Sequence, residues 1–133
     1  MPVPTRTTAT IPARLAETLI IDATATEDAE DDIFSGITLA TKIYCIKLDN
    51  SDVNAVSYFK GQIAAQYATG TAPTIRLSVP ANSTMEYVFP AGWPANLLSG
   101  SDKFSFIGTS TAASTGAQVE PNGNFKVTIL AGT

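Results

Sequence analysis

TIRLSVPANSTMEYVF, residues Thr74–Phe89, is the stretch that decides the fold. In its first half Ile75, Leu77 and Val79 alternate with Arg76 and Ser78, the period-two pattern of a half-buried strand. Pro80-Ala81-Asn82-Ser83 is a turn cluster, and Thr84–Phe89 is a second strand. Strand, turn and strand within sixteen residues mark an antiparallel β protein.

The same grammar continues on both sides. Upstream, Ile37–Leu48 (ITLATKIYCIKL) is rich in β-branched and aromatic residues and ends at Asp49-Asn50-Ser51-Asp52, a turn. Asn54–Lys60 is a further strand, with Gly61 read as a bulge, and residues 62–68 either continue it or turn. Pro90-Ala91-Gly92 is expected to stop the strand that begins at Thr84, which leaves Trp93 in a loop. Downstream, Lys103–Ile107 and Phe125–Leu130 alternate again, while residues 108–118, GTSTAASTGAQ, are low-complexity. Several short strands separated by turns every 8–12 residues give an all-β fold, an antiparallel β-sandwich or jelly-roll-like body. The chain has 133 residues, enough for one domain with its own core.

The N-terminal third reads differently. Residues 1–14 are Thr-rich and carry Pro2, Pro4 and Pro12, so they are read as an extended N-terminal arm, or else as a frayed end. Residues 15–32 are read as a linker. In it LAETLIIDATA (15–25) admits a short helix, but Ile20 and Ile21 followed by Ala/Thr favour a strand. Glu27–Asp32 (EDAEDD) repel one another and form an exposed acidic loop. The body is then 33–133.

Charge is sparse and segregated. Only 15% of residues are charged and the net charge is −4. Residues 17–32 hold seven acids, Arg6 and Arg14 make the N-terminus basic, and the body is nearly neutral. A neutral body has no electrostatic footprint for nucleic acid. No stretch approaches the ~20 apolar residues of a membrane helix, and the N-terminus has no secretory apolar core, so no membrane partner is expected. Small, weakly charged residues suit broad contact with other chains, and a homo-oligomer is expected.

The chemistry of catalysis is sparse too. The sequence has no histidine, which removes the commonest general base and metal ligand. Cys45 is the one cysteine; it forms no intrachain disulfide and no zinc site by itself, and it is read as a buried packing residue in a central strand. Phosphate-cradling and nucleophile-elbow motifs are missing. The acidic run lacks calcium-loop spacing, which leaves a solvated loop or a contact with a basic partner. No cofactor, metal or catalytic residue is therefore assigned, and the chain is read as a structural or binding protein, not an enzyme. The candidate partner contacts are Arg6 and Arg14 in the arm, with Trp93 and Leu97 in the PAGWPANLL segment. Trp93 either caps the sandwich core or anchors a subunit interface.

Taken together, IYCIKLDNS (Ile43–Ser51), SYFK (Ser57–Lys60), TAPTIRLSVPANST (Thr71–Thr84), YVFPAGW (Tyr87–Trp93) and the terminal FKVTIL resemble a group of small β-sandwich virion proteins of tailed bacteriophages. The resemblance covers about residues 40–130. It implies an accessory role on a capsid or tail, and it transfers no catalytic residue. The expected function is a capsid decoration, or cement, protein on the capsid surface, with the major capsid protein as partner and a trimer favoured over a dimer because shells offer threefold sites. The alternative is a tail- or fibre-associated module that recognises a host glycan, for which Trp93 with Asn96 is the candidate site.

Overall fold

The computed structural model describes residues 18–31, 33–34, 41–98 and 103–132, and the side chains of all of these but residues 18, 41 and 94–98. These residues form seven strands: β1 Thr18–Thr24, β2 Thr41–Asp49, β3 Ser57–Gln62, β4 Ile75–Val79, β5 Thr84–Leu98, β6 Ser105–Thr109 and β7 Lys126–Gly132. No helix occurs among them. The strands build two antiparallel sheets. Sheet A has the order β1-β7-β2-β5, and sheet B the order β4-β3-β6. The protein is thus an all-β sandwich.

Period-two alternation explains the packing. On β7, Val127, Ile129 and Ala131 are buried while Lys126 is exposed and Thr128 and Leu130 are half-buried. From sheet A these residues, with Ile43, Ile46 and Leu48 of β2, face Phe59, Val79 and Phe106 of sheet B. Aromatic rings concentrate in the core. Phe59 and Phe106 lie 5.1 Å apart in a tilted pair, and Phe104 stacks on Phe34 at 6.2 Å. Such pairs add about 0.5–1.5 kcal/mol beyond their burial.

The sandwich is closed along both sides. Where β4 and β5 meet, the Tyr87 hydroxyl donates to the Ser78 carbonyl at 2.6 Å and ties the two sheets. On the opposite side the chain leaves β1 and lies along the outer edge of β6. Gly108 N–H donates to Thr26 O, Glu30 and Phe106 exchange backbone bonds of 2.9 and 3.1 Å, and Ile33 N–H donates to Phe104 O. Residues 26–31 and 33 form a strap over that edge.

Four sequence expectations are corrected. Thr18–Thr24, inside the segment 15–32 read as a linker, belongs to the sheet, because β1 pairs in unbroken register with β7. The acidic run is not simply a solvated loop, since its backbone forms the strap at Glu30. Gly61 is no bulge. It stands in continuous register with Ile75 and Phe106, and a Cβ there would lie 2.4 Å from Phe104 Cζ, so glycine is required by the ring above it. Pro90-Ala91-Gly92 does not stop β5, which runs on to Leu98. An edge strand tolerates proline, and β5 absorbs the irregularity through register shifts between Thr41, Ile43 and Cys45 of its partner.

Candidate interaction surface

The two outer faces of the sandwich differ in kind. On sheet B, Tyr58 and Lys60 of β3 point away from the core. Lys60 is nevertheless fully buried, because the segment after β6 folds over it. Its ammonium donates to Thr111 O (2.7 Å), Ala113 O (2.6 Å) and Gln118 Oε1 (2.7 Å). Three donors meet three acceptors, which is the full capacity of the group. Burial, and then the Arg76 guanidinium opposite, push the Lys60 ammonium below its usual range. Arg76 donates to Ala112 O at 2.8 Å. The low-complexity residues 110–118 are therefore a cover held by two cations. A second loop is tied by Gln62, whose amide bonds Ala68 O, Thr71 O and Ala68 N–H. Gly116 N–H donates to Thr69 O and joins the two loops.

The outer face of sheet A has no such cover among the described residues. The register of its strands aligns Ile20 with Leu130, Leu130 with Cys45 and Cys45 with Val88. This is an apolar row that crosses all four strands. Ile20 is 66% exposed and Val88 61%, with Leu130 and Cys45 half-buried between them. The adjacent row is polar: Asp22, Thr128, Lys47 and Glu86. There Thr128 Oγ1 donates to Asp22 Oδ1 at 2.6 Å, beside a cleft of about 260 Å³ lined by Ala23, Thr24, Lys126 and Val127. Among the described residues no group of three or more Cys, Asp or Glu side chains converges to hold a metal ion.

Trp93 is placed by its glycine. Gly92 has φ +84°, a left-handed backbone, and a Cβ there would meet the stem of Lys42 at 2.4 Å. Lys42 Nζ in turn donates to Ala91 O. The turn sends the Trp93 ring edge-on against Phe104, with centroids 5.7 Å apart, where it packs on the core while staying half-exposed. It sits in a strand and not in the loop that the sequence suggested. Leu97 is also on β5, but its side chain lies outside the described residues. Arg6 and Arg14 lie outside the described residues altogether. Of these four residues only Trp93 has a described side chain.

Cys45 is corrected in a different way. Its strand is interior to sheet A, as expected, but the residue points outward as a half-buried member of the apolar row. The cause is a β-bulge at Tyr44, which shifts the register between Ile43 and Cys45 on both neighbours. Partial burial, and next the Glu86 carboxylate, raise its thiol pKa, with Lys47 opposing. Sequence reasoning did not find the row Ile20–Leu130–Cys45–Val88, since its members come from four separate segments that only the register aligns.

No protein-family model matches the chain, and no curated protein matches it. Among solved structures it is similar to the Tobacco streak virus coat protein, at 16% identity and TM-score 0.43, over 87% of this chain and 86% of that one. The coat protein dimer of the same virus gives 16% identity and TM-score 0.44 over 89% and 86%. A protein of the disulfide-linked pili of Bacillus endospore appendages gives 17% identity and TM-score 0.39 over 87% and 85%. At these identities and TM-scores the likenesses assign neither a function nor a partner.

Proposed function

We propose that the protein is a structural virion protein of a tailed phage, a capsid decoration (cement) protein that binds the outer capsid surface and stabilises the shell. The observation that carries the binding role is the asymmetry of the faces: sheet B is sealed by its own loops, whereas sheet A presents an apolar row to solvent. Such a row, flanked by polar residues, suits a broad protein surface better than a small ligand. The virion setting rests on the sequence resemblance over residues 40–130. In this reading the partner is the major capsid protein, the protein acts without cofactor or catalysis, and it acts as a homo-oligomer, for which the threefold sites of shells favour a trimer over a dimer.

The test is to mix purified protein with isolated heads and, separately, isolated tails, and to sediment each. Retention on heads, weakened by Val88→Lys and Leu130→Lys in protein that melts normally, supports the reading. Retention on tails alone supports the glycan-binding alternative.

A further inference from the structure

We infer that the outer edge of β1 is a strand-addition site for β1 of a second copy of this chain. Edge strands invite pairing unless they are guarded, and the four sheet edges here differ in their guards. The edge of β6 is covered by the strap bonded at Thr26, Glu30 and Ile33. That of β5 is broken by Pro90 and Pro94 and by register shifts. Strand β4 is five residues long, set between Pro73 and Pro80, and has its Ser78 carbonyl occupied by Tyr87. By contrast β1 spans seven residues without proline, lysine, arginine or bulge.

Its outward-facing hydrogen-bonding groups follow from the ladder. Ala25 N–H donates to Phe125 O on the β7 side. Backbone direction alternates along an antiparallel strand. Leu19, Ile21 and Ala23 therefore face β7, and Thr18, Ile20, Asp22 and Thr24 turn their N–H and C=O outward. No described segment bonds those four residues along the outer edge. Two copies meeting edge to edge in antiparallel sense must pair even-numbered residues with even-numbered residues.

The side chains then choose the register. Centring the pair on Asp22 sets two carboxylates face to face, and centring it on Ile21 sets Ile20 against Asp22. Centring it on Ile20 places Ile20 against Ile20 of the second copy, Asp22 against Thr18 and Leu19 against Ile21. Apolar then meets apolar on both faces and no like charges are opposed. The 66%-exposed Ile20 is covered, and the row Ile20–Leu130–Cys45–Val88 continues across the junction into its copy. The product is one eight-stranded sheet about a twofold axis, a dimer in place of the trimer that threefold shell sites suggest. The inference is independent of where the protein binds.

Sedimentation of the full chain over a concentration series tests it. A dimer is expected. Ile20→Lys and Ile20→Pro should each give a monomer that stays folded, since the N–H of residue 20 takes no part in the monomer's own ladder. Val88→Lys should leave the dimer intact. Nitroxide labels in a Cys45→Ala background should lie closer across the dimer at Ile20→Cys than at Thr24→Cys. The inference is overturned by a monomer at every concentration or by a trimer. It is equally overturned by a dimer that survives Ile20→Lys, or by one lost when residues 2–14 are deleted.

Discussion

Lys60 and Arg76 stand directly opposite each other on β3 and β4, and both cations rest on the ring of Tyr58, at 5.7 and 4.7 Å from its centroid. Like charges in facing positions normally destabilise a sheet. Here the ring and the carbonyls of residues 111–113 absorb both charges, and an otherwise featureless Ser/Thr/Ala segment becomes a fixed cover.

Lys60→Met should therefore destabilise the protein by about 2–4 kcal/mol, because it strands acceptors organised around a cation. Denaturant unfolding measures this, and amide exchange should quicken across residues 110–118. The pH dependence has a defined sign. The folded-state pKa of Lys60 lies below its unfolded value of 10.5, so the folded state binds fewer protons between the two and stability rises with pH in that window. Below the window both states carry the charge and the slope vanishes. Lys60→Met should lack this rise.

Gly61→Ala should cost about 1–3 kcal/mol by forcing a methyl into Phe104. Gly70→Ala, with no atom within 4 Å of the new methyl, should stay within about 0.5 kcal/mol of the parent. Thermal melting of the pair separates steric need from general loss of glycine.

The contrast between these glycines shows what the sequence made legible. Local alternation is written in consecutive residues, so β2, β4, β6 and β7 and the turn at Asn82, with its φ of +53°, were readable. What depended on distant partners was not. Gly61 looks like a bulge until Phe104 is placed over it, and Lys60 looks solvated until residues 110–118 fold back. Strand β5 looks finished at Pro90 until its edge position is known. The apolar row shares this limit, since Ile20 and Val88 meet only through β7 and β2. Of the candidate contacts, Trp93 alone has a described side chain, and it packs on Phe104.

Cys45 should react slowly with thiol reagents at neutral pH and faster as pH rises, because burial and Glu86 hold its pKa above 9.0. Cys45→Ala should cost less than about 1 kcal/mol, as the side chain lies on the outer face and its loss opens no core cavity. Rapid labelling at neutral pH contradicts the raised pKa, and a loss as large as that of a core cavity contradicts the outward placement.

Deleting residues 2–14 should leave the melting temperature nearly unchanged while weakening retention on particles. We propose that this basic segment is an extended arm, able to span roughly 40 Å and to add strand hydrogen bonds on a neighbour. Undiminished retention of the truncated chain rules the arm out as a contact, and unfolding of the truncated chain places those residues within the sandwich.

The most direct test of the central proposal is a cryo-electron microscopy reconstruction of the virion that carries the protein, with its position and copy number resolved. Copies are expected on the outer surface of the head, with the sheet A face of Leu130 and Val88 turned toward the major capsid protein. Copies confined to the tail or its fibres, or head-bound copies with that face turned to solvent, would contradict it.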